Sequence, residues 1–254
     1  MLAYSEAGKG KPVVLVHAFP LSSKMWEEQV RLVSRFARVI TPEIPGLGKS
    51  ARQAEPSIPQ TAAGVAEILD KLGIHEPVMI GGLSMGGYVM LEFLRQFPER
   101  VRGLGFFATR ANADSPEVKE KRVKTIEKIS REGLAAFVPG VIQNLLGATT
   151  RANNPALVKK VEGLILENTG EGVCEATRAM AGRRDSQDLL GAIRCPAIVI
   201  GGMEDTFVTA QETEAMQKCI PGAELHLLEK KGHLVNLEAP EIFNGLLERF
   251  IRKL

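Results

Sequence analysis

Six short stretches of the chain are apolar at nearly every position: VVLVH (13–17), RVITPEI (38–44), PVMIGG (77–82), GLGFFAT (103–109), PAIVIGG (196–202) and AELHLLE (223–229). Runs without polar alternation fit strands buried on both faces, as in a parallel sheet covered by helices. Between them, helical spacing of apolar residues holds over 24–36, 57–72, 85–97, 208–219 and 239–253. Gly73, Pro98 and the Pro221-Gly222 pair punctuate the ends of those segments. Strands alternating with helices predict one mostly parallel α/β sheet.

From about 110 to 190 the alternation stops. SPEVKEKRVKTIEKISR, GLAAFVPGVIQNLLG, NPALVKKVEGLILENTG and EGVCEATRAMAG all read as helices, with no strand among them. The expected organisation is therefore an α/β core from 1–109 and 187–254, interrupted by a helical block over 110–186. Within the block, Phe137, Val141 and Leu145 share one helical face, suited to packing on the core or to lining a pocket. The KEKR run at 119–122 reads as a solvated helix face.

Composition narrows the picture by exclusion. Lys and Arg number 32 against 30 Asp and Glu, a net charge of +2, so neither nucleic acid nor an anionic membrane is expected as partner. Hydrophobic residues at 44% supply a sizeable core. The three cysteines, Cys174, Cys195 and Cys219, form no C-x-x-C pair, which speaks against a disulfide framework or a cysteine zinc site. MLAYSEAGKGK lacks a signal-peptide core and no apolar run reaches membrane-span length. The expectation is a soluble, cytoplasmic protein.

The stretch IGGLSMGGYV (80–89) holds four glycines and one serine. A dinucleotide-binding turn framed on Gly82 and Gly87 would need glycine where Ser84 stands. IPGLGKS (44–50) fails as a P-loop because Glu43 occupies the first glycine position. What remains is Gly82-Leu83-Ser84-Met85-Gly86, a G-x-S-x-G turn between a predicted strand and a predicted helix. That context holds a nucleophilic serine clear of the backbone. The helix start also leaves the Met85 N–H free to meet a developing oxyanion.

A serine nucleophile needs a base, and histidine suits that role near neutral pH. Of the four histidines, His75 lies in a turn, His226 lies within a strand run and His17 closes the first core strand. His233, in KKGHLVNLEAP, follows the last strand, where sites of open α/β sheets collect. IVIGGMEDTFV offers two acids for the histidine, Glu204 and Asp205, in the chain order Ser…acid…His.

With these pieces in place, the sequence resembles the α/β-hydrolase superfamily. The resemblance is carried by LVHAFPLSSKMW, PEIPGLGKS, GLSMGGYVMLEFLRQFPERV, IRCPAIVIGGMEDTFV and GHLVNLEAPEIFN. It is closest to small serine hydrolases with a helical cap: carboxylesterases, 3-oxoadipate enol-lactonases and cofactor-free haloperoxidase relatives. The resemblance implies Ser84 as nucleophile, Asp205 as acid and His233 as base. It puts the second oxyanion donor on the Phe19 N–H and gives His17 the task of orienting that loop. It makes LAYSEAG a strand, for a sheet of about seven strands lacking the first of the family. His17-Ala18 stands where many members have His-Gly, and Thr209 where a proline is usual. Serine at the elbow separates the chain from relatives that use aspartate to open epoxides or displace halide.

The expected chemistry is cleavage of a small carboxylic ester through an acyl-enzyme, with no metal or organic cofactor. Expected pocket-lining residues are Phe19, Leu21, Met85, Phe137, Val141, Phe207 and Leu234. That apolar set favours an uncharged ester. Arg110, Arg183 or Arg184 near the ends of the helical block would instead suit a carboxylate-bearing lactone. Lactone or C–C bond hydrolysis, perhydrolysis and a slow-turnover ligand sensor are the competing readings of the same residues.

Overall fold

The computed structural model describes residues 1–254. Seven strands form one sheet: β1 (Tyr4–Ala7), β2 (Pro12–Val16), β3 (Arg38–Pro42), β4 (Val78–Leu83), β5 (Val101–Phe107), β6 (Ala197–Gly202) and β7 (Glu224–Leu228). Their order is β1-β3-β2-β4-β5-β6-β7. Only β1 runs antiparallel, pairing Tyr4 with Pro42 and Ala7 with Val39. Strands β2, β4 and β6 are buried at every position, which is why their sequences show no alternation. Edge strand β1 is half exposed and correspondingly polar.

Twelve helices complete the chain. Those of the α/β alternation are α1 (Glu27–Val33), α2 (Ile58–Lys71) and α3 (Met85–Gln96). Between β5 and β6 come α4 (Pro116–Glu132), α5 (Leu134–Leu145), α6 (Ala148–Asn153), α7 (Pro155–Leu166), α8 (Gly170–Ala181) and α9 (Gln187–Leu190). Helices α10 (Ala210–Lys218), α11 (Val235–Glu238) and α12 (Pro240–Lys253) follow. None is long and apolar enough to cross a membrane.

Three of these helices depart from expectation: α11 is a single turn just ahead of the segment predicted over 239–253. Helix α6, ATTRAN, has no apolar stripe to announce it and lies between two of the predicted segments. Helix α9 is a single turn beyond residue 186.

The chain runs from β2 outward to β3, then returns to place β4 on the other side of β2. The switch point therefore lies between β2 and β4, and loops leaving their C-terminal ends diverge to open a crevice. Residues 17–22 leave β2 there and Ser84 follows β4. The helices between β5 and β6 share the sheet's apolar core, since Ile142, Ile165 and Val173 belong to the same cluster as Leu15 and Phe106. Asn168 stitches them further, donating to the Pro20 carbonyl at 2.9 Å and accepting from the Gly48 N–H at 2.8 Å.

Candidate active site

Strand β4 is packed so closely on helix α3 that only glycine fits at the turn. A Cβ on Gly82 would sit 2.2 Å from the Gly86 backbone, and one on Gly86 would sit 2.1 Å from the Val16 carbonyl oxygen. Ser84, between them, has φ 54° and ψ −113°, in a region rare for residues with a side chain. The turn is held by the Ser84 N–H donating to the Phe107 carbonyl at 2.9 Å. The Thr109 hydroxyl donates to the Ser84 carbonyl at 2.8 Å. Ser84 lines a cavity of about 650 Å³ between the strand ends and the helices α4, α5 and α8.

His233 lines the same cavity. Its Nδ1 lies 2.7 Å from Asp205 Oδ2, and both residues are buried. With the carboxylate as acceptor, Nδ1 is the donor of this pair, and Nε2 is the ring nitrogen left without a partner in the chain. The other oxygen of Asp205 accepts the N–H groups of Phe207 at 2.8 Å and Val208 at 3.0 Å. The carboxylate is thus fixed at both ends. The Phe207 ring stands edge-on to the His233 ring at 5.1 Å.

Glu204 turns the other way. It accepts from the Thr149 N–H at 2.8 Å and from the Thr149 hydroxyl, at the start of α6. Those hydrogen bonds hold its carboxyl below the usual range. Glu238, not singled out in the sequence, is buried and accepts the N–H groups of Gly232 and Gly147, each at 3.0 Å. Gly232 is the neighbour of His233. The loops carrying Asp205 and His233 are therefore both tied by carboxylates to the α5–α6 junction.

The loop after β2 is organised by His17. Its Nδ1 faces the Ala18 carbonyl at 3.0 Å, and its Nε2 accepts the Ile44 N–H at 3.0 Å. That pattern requires the neutral ring. Complete burial lowers its pKa from 6.5 to about 4, against smaller opposing effects of the Ala18 hydrogen bond and Glu43. Ala18 is not among the residues with positive φ, so alanine fits where a glycine was expected. The Phe19 N–H meets no acceptor within the chain. The Met85 N–H, at the first position of α3, has no intrahelical one. Thr209 caps α10 in a reciprocal capping box with Glu212.

Phe19, Phe137, Val141 and Phe207 line the cavity together with Tyr88 and Met180. Leu21, Met85 and Leu234 do not, contrary to expectation; all three are fully buried. Leu21 turns inward because its N–H closes a tight turn onto the Ala18 carbonyl, and Leu234 because its N–H is donated to Leu145. Met85, the first residue of α3, has its side chain in the apolar core. Of the three candidate arginines only Arg110 reaches the cavity, 3.3 Å from Glu212. Arg183 is buried against Asp114 at 2.6 Å and stacks over Tyr88 at 4.0 Å, while Arg184 pairs with Glu92 at 2.5 Å.

The wall is also less apolar than expected. Lys121, Arg122 and Lys128 of α4 face the cavity, which corrects the reading of the KEKR run as solvated only. No cluster of three or more His, Cys, Asp or Glu side chains is placed to hold a metal ion.

Comparison with known proteins identifies the family. The family model described as alpha/beta hydrolase fold matches residues 11–240, and the chain belongs to that family. A thermophilic esterase from Thermogutta terrifontis, solved with malate bound, is 37% identical, with a TM-score of 0.95 over 99% of this chain and 93% of that one. The enol-lactonase from Burkholderia xenovorans LB400 is 25% identical, with a TM-score of 0.90 over 99% of this chain and 96% of that one. A dihydrolipoyllysine-residue acetyltransferase component of the acetoin cleaving system from Pseudomonas putida is 30% identical over 255 residues; the match covers 96% of this chain but only 64% of that protein.

Proposed function

We propose that the protein is a serine hydrolase of small carboxylic esters, with Ser84 as nucleophile, His233 as base and Asp205 as the acid that orients it. The observation carrying this reading is the 2.7 Å bond between His233 Nδ1 and Asp205, which turns a lone-pair nitrogen toward the cavity that Ser84 also lines. His233 Nε2 takes the proton from Ser84 as Oγ attacks the ester carbonyl. The N–H groups of Met85 and Phe19 receive the charge that develops on the carbonyl oxygen. Protonated His233 then gives its proton to the departing alcohol. Water, deprotonated by His233, attacks the acyl-enzyme and releases the acid. Asp205 stays ionised and stabilises the imidazolium through each step. Helices α4–α8 act as a cap that shapes the acyl and alcohol subsites.

The similarity to the Thermogutta esterase favours this reading; the similarity to the enol-lactonase keeps lactones as a second substrate form for the same three residues. Steady-state hydrolysis of p-nitrophenyl esters, from acetate to long chains, tests it. Wild type should turn over many times, and Ser84→Ala should lose at least about a thousandfold in kcat while keeping its circular dichroism spectrum. Retained turnover in Ser84→Ala would remove the assignment.

A further inference from the structure

Charges on the cavity wall are unevenly distributed. Four cationic side chains line it, Arg110, Lys121, Arg122 and Lys128, against two carboxylates, Asp114 and Glu212. The carboxylates are already engaged. Glu212 pairs with Arg110, and Asp114 is shared by Arg122 and the buried Arg183. Burial pushes the Asp114 carboxyl up, but the two guanidinium groups more than offset this and hold it below its usual range.

Lys121 and Lys128 have no carboxylate within ion-pair distance, and both are exposed. They stand two helical turns apart with Thr125 between them, so all three occupy one face of α4. The four glutamates of this helix are absent from the cavity wall: Glu117 bonds Ser115, Glu120 pairs with Lys124, and Glu132, which feels Lys128 from one turn away, pairs with Arg131. Phe19, Phe137 and Val141 add an apolar portion to the same wall. The cavity that Ser84 lines thus combines apolar residues with two lysines that have no carboxylate partner on its wall.

We infer that the preferred ester carries an anionic group, a carboxylate or its equivalent, separated from the scissile carbonyl by a short apolar spacer, and that Lys121 and Lys128 select it. This rests on the ester-hydrolase reading and refines its substrate class. The spacer lies along the phenylalanine wall, and the anion faces the two ammonium groups. Because both lysines are solvated, their contribution is moderate and sensitive to ionic strength.

The test compares monomethyl adipate with methyl hexanoate, equal in acyl length and different in terminal charge, using wild type and a Lys121→Ala/Lys128→Ala double variant. Wild type should favour the adipate monoester in kcat/KM by roughly three- to tenfold at low salt, falling toward parity as salt rises. The double variant should lose that preference, its kcat/KM for monomethyl adipate falling to its own value for methyl hexanoate. Equal wild-type rates on the two esters, or a preference that survives in the double variant, would overturn the inference and leave the ester reading intact. If wild type cleaved neither ester, the ester reading would fail instead. Calorimetric binding of adipate, weakened several-fold in the double variant or not, would then decide the anion site alone.

Discussion

Residues 17 and 205 show how single side chains shape the chemistry. His17 never touches the cavity, yet its ring ties the backbone that presents Phe19, through the Ala18 carbonyl at Nδ1, to the loop after β3, through the Ile44 N–H at Nε2. Its pKa, lowered from 6.5 to about 4 by burial, makes it a proton-linked element of stability. The unfolded chain takes up a proton near pH 6.5 that the folded chain refuses until about pH 4. The stability His17 contributes is therefore complete above pH 6.5 and drains away as pH falls toward 4, with a ceiling on the order of 3 kcal/mol. Urea unfolding of wild type and His17→Gln between pH 7.5 and 4.5 should show a flatter pH dependence in the variant; parallel slopes would mean the ring is not held neutral. The choice between Glu204 and Asp205 was open from the residues alone, because adjacent loop acids carry no facing in a sequence. The fold separates them: Asp205 meets His233, and Glu204 meets Thr149. Glu238 had no signal beyond its place five residues after the histidine, since the N–H groups it accepts become neighbours only after folding.

Among the elements, the strands were the most legible. Their burial on both faces writes itself as unbroken apolar runs, and the G-x-S-x-G turn has a packing reason for each glycine. Helix α6 was not legible, because it is short, polar and held by contacts from elsewhere. Those contacts bear on the proposed catalysis. The α5–α6 junction receives Glu238 from α11 and Glu204 from the loop after β6, beside the loops that carry the base and the acid. Glu238→Gln keeps the size of the side chain but sets an amide N–H₂ against the N–H donors of Gly232 and Gly147. The His233 loop should then shift by a fraction of an ångström, lowering kcat roughly tenfold with KM changed less than about twofold. A matched rise in KM with kcat unchanged would instead assign Glu238 to substrate binding. The spacing of Lys121, Thr125 and Lys128 was readable as one helical face; which way that face points depended on α4 packing against α8 and α5, and no local pattern encodes it.

For the whole molecule, the sheet and the helices between β5 and β6 divide the labour. Loops at the β2/β4 switch point, together with those after β6 and β7, supply the groups proposed to break the bond. The helices supply most of the wall that a substrate would feel. Both parts draw on one apolar core, so the wall is set by the same packing that holds the sheet. One position stands against that cooperative packing. Ser84, at φ 54°, sits where a side chain is unwelcome, and the rest of the fold keeps it there. Such a conformation costs about 1–3 kcal/mol, whereas the added flexibility of glycine in the unfolded chain costs about 0.5–1 kcal/mol. Ser84→Gly should therefore melt at a higher temperature than Ser84→Ala, and scanning calorimetry of the two inactive variants compares them directly. The more comfortable residue at this site would be the useless one. On the proposed reading, durability alone would favour discarding the nucleophile, and a serine there trades robustness for turnover.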